Sequence, residues 1–412
     1  MENTFLTELN IRKVRHLKDI NIPISKTERK NLILTGKNGS GKTSVLESLT
    51  QFMTYCISDN YEMESELYRR LAYYMELLNK KDESEEGRRD KEKISNNINW
   101  LNKNLLNWTD GCSALCTSFS LLREKYKKGE FILAVYSDKR ELVITPYKNI
   151  EKVNLKPVYN LNDKPSKEFA KYLADQMSTQ AFAEKKKNFE RAKQIEEWFM
   201  RIEKVLRRIY KDESLKLDFD MDTYQFSILL DGREPFSFDT MSMGYAAAFE
   251  IVSDLIMRME LNHRYDMEGV VLIDEIETHL HVDLQKEIVP ILTDLFPNIQ
   301  FILTTHSPFV LNSTPNAVVY DLEKNLLVED GLTNLPYEGV VEGYFDVDLL
   351  SQTLRKKFEE YKELLKKDDL KDKDYAKIVE LENYLDEVPD YLALDFATEY
   401  SRLKCEFEKN RG

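Results

Sequence analysis

The 412-residue sequence has no run of about 18 apolar residues, so nothing in it is expected to span a membrane. Its first residues, Met1-Glu2-Asn3-Thr4-Phe5, lack the basic start and apolar stretch of a signal peptide. Cysteine is scarce: Cys56, Cys112, Cys116 and Cys405 are the four present. Cys112 and Cys116 have no second pair to complete a zinc ribbon, and the set is too sparse for a disulfide framework. A cytoplasmic protein with reduced thiols is the expectation. Positive charge is also in deficit. A formal net charge of −14 repels phosphate at long range and disfavours a broad, nonspecific grip on nucleic acid. Internal repeats are lacking too.

What is present suffices for a large folded core, since 42% of the residues are hydrophobic. Residues 5–11 and 17–24 read as strands, and Asn31-Leu32-Ile33-Leu34-Thr35 reads as a short buried strand entering a glycine-rich turn. Helical spacing follows over Ser44–Phe52. Leu67, Leu71, Tyr74 and Leu78, then Ile94, Ile98, Leu101, Leu105 and Trp108, step in heptad fashion on either side of the charged stretch 80–90. This predicts an inserted antiparallel helical hairpin within 60–128, each arm about 25–30 Å long. Residues 130–136 and 141–145 have strand character, 166–211 is helical, and 215–238 reads as a hairpin turning at Asp231-Gly232. The stretch 345–412 is helical and highly charged.

Three motifs carry chemistry. Gly36-Lys37-Asn38-Gly39-Ser40-Gly41-Lys42-Thr43, with Ser44 after it, matches the P-loop pattern in full. Its glycines let backbone N–H groups wrap the phosphates of ATP at a helix N-terminus. Lys42 is expected on the β- and γ-phosphates, and Thr43 on Mg²⁺. Gly269-Val270-Val271-Leu272-Ile273-Asp274-Glu275 describes a buried strand delivering two acids to a sheet edge. Asp274 would hold Mg²⁺, and Glu275 would orient the attacking water. A third buried strand, starting at Phe301, ends in Thr304-Thr305-His306-Ser307-Pro308, where His306 is placed to sense the γ-phosphate. Glu275, His306 and Lys42 are thus the expected catalytic residues.

Asp274-Glu275-Ile276-Glu277-Thr278-His279-Leu280-His281, followed by Thr304-Thr305-His306-Ser307-Pro308-Phe309, resembles the ABC-type ATPases related to SMC and RecF proteins. Within them the sequence looks closest to the stand-alone ATPases of bacterial anti-phage systems, such as the Septu, PARIS and retron-linked ATPases. The core of the resemblance covers roughly 1–55 and 215–322. It implies an α/β P-loop head with a mixed β-sheet core, a short inserted helical hairpin and a C-terminal helical region. The implied units are 1–59, an N-terminal lobe with the P-loop; 60–128, the hairpin; 129–344, the ATPase core; and 345–412, a partner-docking region.

In that family a signature motif from one subunit caps the ATP held by the other. Asp239-Thr240-Met241-Ser242-Met243-Gly244-Tyr245 stands where the motif belongs, with Ser242 and Gly244 as its essentials and a helix expected from Gly244 to Leu261. The resemblance therefore implies a homodimer or higher homo-oligomer. Arg15 falls where related ATPases place an arginine near the nucleotide. Gln51, Gln176 and Gln180 are candidates for the family's glutamine loop. His279 and His281 invite a metal reading, but their position matches the family's dimer-contact loop. Ten basic residues between Glu184 and Lys211 offer a phosphate-tracking face or a solvated helix surface. No HNH-type or Toprim-like cluster follows His306, so a nuclease or toxin effector is expected on a separate chain. The alternative is a RecF-like repair ATPase that binds DNA; a transporter ATPase is the weaker third reading.

Overall fold

Strand β3 (Asn31–Thr35) is buried along its whole length, as are β9 (Ile299–Thr304) and β10 (Ala317–Asp321). Continuous apolar runs of this kind belong to parallel strands covered on both faces. They assemble with β5 (Phe131–Tyr136), β8 (Glu268–Ile273) and the short β11 (Leu326–Val328) into a six-stranded sheet of order β11-β10-β3-β9-β8-β5. All pairings are parallel except β10 with β11, so the sheet is mixed, as expected. This is a computed structural model, and it describes residues 3–59, 61–80, 85–109, 111–140, 142–314, 316–333, 352–367, 370–387 and 394–409.

A second sheet joins β1 (Leu6–Val14), β2 (Leu17–Pro23) and β4 (Cys112–Cys116) in antiparallel order β2-β1-β4. Helix α1 (Lys42–Ile57) packs against strands of both sheets, its Val45, Leu46, Leu49 and Met53 joining Leu9, Ile11, Leu32 and Ile302 in one apolar core. The buried amide of Gln300 fastens the sheets together. Its Oε1 accepts from Leu6 N at 2.7 Å and its Nε2 donates to Leu6 O at 2.9 Å.

Two helices, α2 (Tyr61–Asn79) and α3 (Glu85–Thr109), follow α1 and pack on each other through Leu67, Leu71 and Leu101. Their 19 and 25 residues correspond to about 28 and 38 Å, so the second arm is longer than expected. Residues 81–84 of the charged stretch between them lie outside the described residues. The stretch 112–127, read in sequence as part of the insertion, instead supplies β4 and α4 (Phe119–Lys127), because Cys112 and Ala114 are inward-facing partners of β1.

Helices α5 (Phe169–Lys185) and α6 (Phe189–Tyr210) form a second hairpin. Two local expectations change. Leu142–Thr145 is not a strand: Thr145 is held by Lys167 O and by the Glu168 carboxylate, which draws the segment to the start of α5; Glu141 lies outside the described residues. The hairpin β6 (Lys216–Phe219) and β7 (Phe226–Leu229) turns at 220–225, where Asp220 accepts from Asp222 N and Thr223 N. Asp231-Gly232 makes a later turn that closes a single bridge between Ile228 and Phe236.

Helix α7 (Met243–Met259) is buried continuously from Ala247 to Met259, its polar Glu250, Ser253, Asp254 and Arg258 included. The short helices α8 (Val282–Gln285), α9 (Ile288–Leu295) and α10 (Pro308–Ser313) connect the last strands. Residues 335–412 form a separate compact unit. In it, the helices Gln352–Leu365, Asp372–Asp386 and Leu394–Lys409 enclose Phe358, Tyr361, Ile378, Leu381, Phe396 and Tyr400.

Candidate nucleotide site

Parallel register brings the motifs together. Thr35 pairs with Asp321, Leu34 with Thr304, Leu303 with Ile273, and Ile273 with Tyr136. The loops that leave β10, β3, β9, β8 and β5 therefore share one edge of the sheet. The carboxyl ends of parallel strands are where ligands bind in α/β folds.

The P-loop is shaped by its backbone. Gly41, at φ 99°, caps α1, and a side chain there would place its Cβ 2.9 Å from Leu17 Cδ1. Only glycine suits that combination of left-handed backbone and close contact. Lys42 is buried, and its ammonium donates to Gly36 O at 2.9 Å and Lys37 O at 3.2 Å. Burial lowers its pKa, and the carboxylates of Glu275, Glu277, Asp274 and Asp321 oppose that shift. Asn38 and Gly39 are exposed, whereas Ser40 and Ser44 are buried. Thr43 is exposed in the first turn of α1.

Asp274 is buried, and its Oδ1 accepts from Thr304 Oγ1, which in turn accepts from Glu275 N at 2.7 Å. The β9 threonine thus orders both acids of β8. Glu275 has φ 43°, a conformation costly for a residue with a Cβ. Its half-buried carboxylate lies 3.9 Å from His306 Nε2 and 3.3 Å from Thr278 Oγ1. Burial depresses the His306 pKa, the nearby Lys42 charge adds to this, and Glu277, Glu275 and Asp274 work against it. Glu277 holds the adjoining loop by accepting from Thr305 Oγ1 at 2.7 Å and from His306 N.

Two carriers of the site were not foreseen. Arg140, 1% exposed, donates to the carbonyls of Asp274 at 2.7 Å, Glu275 at 2.6 Å and Thr278 at 3.4 Å. In sequence it sits in Ser137-Asp138-Lys139-Arg140, which looks like any solvated charged loop. Asp321, at the end of β10, accepts from Glu323 N and Lys324 N, and its field reaches Lys42. Gln51 lies on α1, and Gln176 and Gln180 lie on α5, so none of the glutamine candidates is in a loop at this sheet edge. The loop after β5 brings Arg140 there instead.

The other singled-out residues lie as follows. Arg15 is exposed in the β1–β2 turn at φ 51°. Beside it an open groove of about 550 Å³ runs between His16, Leu17 and Lys18 on one side and Lys37–Ser40 on the other. Ser242 precedes α7 without making a side-chain capping bond, and it is exposed. The helix starts at Met243 and ends at Met259, after which Glu260–Asn262 form a tighter turn. Gly244 explains itself locally, since a Cβ there would stand 2.8 Å from His279 O. His279 takes φ 69°, and His281 caps α8 through Asp283 N. Among the described residues no group of three or more His, Cys, Asp or Glu is placed to hold a metal.

The residues present nevertheless fit a magnesium triphosphate. The hydroxyls of Thr35 and Ser40 are buried without a partner within the chain, beside an ammonium bonded only to backbone carbonyls. Thr43 and Asp274 offer the hard oxygen ligands that Mg²⁺ takes alongside phosphate oxygens and water. No helix among the described residues is long and apolar enough to cross a membrane.

Residues 117–312 match the family described as "AAA domain, putative AbiEii toxin, Type IV TA system". The "Retron Vc95 probable ATPase" of Vibrio cholerae serotype O1 biovar El Tor is 26% identical over 374 residues, covering 74% of this chain and 71% of that one. The "Septu protein PtuA" of Bacillus mycoides (strain KBAB4) is 34% identical over 129 residues, which is 31% of this chain and 18% of the relative. Among solved structures, an SMC head bound to the C-winged helix domain of ScpA aligns over 80% of this chain and 98% of its own, at 12% identity and a TM-score of 0.39.

Proposed function

We propose, on the premise that this chain belongs with the SMC- and RecF-related ABC-type ATPases close to those of retron and Septu defence systems, that it hydrolyses ATP to control a separate effector. One observation carries this reading. Lys42, Asp274, Glu275 and His306 come from three different strands and meet at one sheet edge, cross-linked by Thr304 and Arg140. A structural ion cluster would have paired Lys42 with an acid; here the ammonium is bonded to carbonyls that phosphate oxygens can replace.

The chain's own groups divide the chemistry. The P-loop amides and Lys42 bind the phosphates, and Thr43 and Asp274 hold Mg²⁺, which when bound neutralises charge on the β- and γ-phosphate oxygens. Glu275, fixed by the Thr304 bond to its N–H, orients and polarises a water. His306 hydrogen-bonds the terminal phosphate. Ser242, at a helix N-terminus, binds the triphosphate held by a second copy. Hydrolysis therefore requires a homodimer or larger homo-oligomer. The unit beyond residue 335 docks the nuclease or toxin. The test is turnover by the purified chain, with a Mg²⁺ titration. Slow hydrolysis that rises with protein concentration and no DNA cleavage support the reading; no ATP turnover at any concentration overturns it.

A second reading, DNA binding, rests on the α5–α6 turn, where Lys185, Lys186 and Lys187 are exposed between Phe182 and Phe189, themselves 62% and 67% exposed. Farther along α6 the basic residues are engaged: Arg207 pairs with Glu203, Arg208 with Asp294 and Lys211 with Glu287. The tip differs in gathering three consecutive exposed lysines at one place. Neutralising the three lysines abolishes any stimulation of turnover by DNA if this reading holds, and leaves it unchanged if it does not.

A further inference from the structure

The loop that presents Glu275 touches α7 at its first turn, and Arg140, which holds that loop, has a charged neighbour farther along the same helix. At the first turn, Gly244 lies against the carbonyl of His279 so closely that even a methyl group would collide with it. About two turns farther on, α7 carries Glu250, 4% exposed, in a deep charged layer. Lys164 donates to Glu250 Oε1 at 2.9 Å. One turn on, Asp254 accepts from Tyr136 Oη at 2.7 Å and Arg258 Nε at 2.8 Å. This layer is closed except at two atoms. Glu250 Oε2 and Arg140 Nε are both buried, and neither has a hydrogen-bond partner. They belong to opposite charges within electrostatic reach of one another.

A buried carboxylate oxygen and a buried guanidinium N–H left unpaired cost free energy, which a hydrogen bond between them would recover. Arg140 already caps the carbonyls of Asp274, Glu275 and Thr278. We propose that Arg140 is a positioning residue for Glu275 and that Glu250 is its control. When Ser242 engages a triphosphate from the facing copy, α7 shifts, Glu250 Oε2 accepts from Arg140 Nε, and the guanidinium draws the Glu275 loop into its working position. The signature helix thereby reports occupancy of one site to the catalytic acid of the other. This inference rests on the ATPase reading above, and it goes beyond it by naming the link.

Amide hydrogen exchange of the full chain, read by mass spectrometry with Mg²⁺ and the non-hydrolysable analogue AMP-PNP, separates the two. Protection of 36–45 reports the nucleotide site, and protection of 274–281 reports the link. In the wild type both segments gain protection. Glu250→Gln keeps the first and loses the second, and its kcat falls about tenfold with KM unchanged, in the range typical of coupling energies. Arg140→Lys, which keeps the charge but cannot span three carbonyls, does the same and serves if Glu250→Gln folds poorly. A Glu250→Gln chain that protects both segments and turns over at the wild-type rate overturns the link alone. Absent protection of 36–45 in the wild type overturns the nucleotide site, and the link with it.

Discussion

The P-loop and the signature turn both sit at helix N-termini, and their side chains are treated in opposite ways. At the start of α1, Lys42 is buried and doubly bonded, and Ser40 and Ser44 are buried beside it. At the start of α7, Ser242 is exposed without a capping bond, and Met243 after it is 62% exposed. An N-terminal serine whose hydroxyl ignores its own helix gives up a capping bond that typically contributes about 1 kcal/mol. Met243 adds one large exposed apolar side chain beside that uncapped end. On the proposed reading, the P-loop half lies within one chain and the Ser242 half serves a nucleotide held by another.

The largest expected effect comes from attacking the complete half. Glu275→Gln should lower kcat by about 10²–10⁴-fold, the range for loss of a general base, while nucleotide affinity measured by calorimetry stays within a few-fold. Lys42→Ala should instead abolish the calorimetric signal. If Glu275→Gln turned over at the wild-type rate, the assigned role would be wrong. The sharpest test of the comparison mixes two defective chains. Ser242→Arg blocks the open half and Glu275→Gln the complete half. A mixed dimer holds one composite site whose Glu275 lies in the Ser242→Arg chain, so an equimolar mixture should recover about a quarter of wild-type turnover if the two sites act independently, and about tenfold less than that if α7 couples them as proposed. Activity no higher than the sum of the two chains measured apart would mean that each chain works alone. Gly244→Ala should act more mildly, on the join between the halves. A methyl group meeting the His279 carbonyl should cost about 1–3 kcal/mol, read as a melting temperature lowered by several degrees.

How legible each half was follows from the kind of signal it gives. The parallel sheet could be read because β3, β8 and β9 are unbroken apolar runs ending in the residues that matter, Gly36, Asp274 and Thr304. Strand order could not, since register depends on long-range pairing that single strands do not encode. The β4 strand was absorbed into the preceding heptads because Cys112 to Cys116 is short and borders α3 directly. Arg140 was invisible for a different reason. A buried guanidinium capping carbonyls looks in sequence like every surface arginine, and only the fold of the loop after β5 turns it inward. Glu250 is hidden likewise, one of three charges with Asp254 and Arg258 along a buried helix. Ser242 was found only through its resemblance to a motif.

The smallest expected effect concerns His306, which the proposed reading places at the terminal phosphate. Its folded pKa lies below the ordinary histidine value of 6.5, chiefly through burial and secondly through Lys42. The unfolded chain therefore binds this proton more readily than the folded one. The sign follows: the stability involved is present above pH 6.5 and is lost as pH falls through the folded pKa. Melting temperature should consequently drop more steeply below pH 6.5 in the wild type than in His306→Gln, while the two curves run parallel above it. Saturating Mg-ATP should reverse the difference, because a phosphate beside the ring favours its protonated form. Parallel curves in both conditions would mean that the ring does not feel Lys42 or the nucleotide, and would remove His306 from the site.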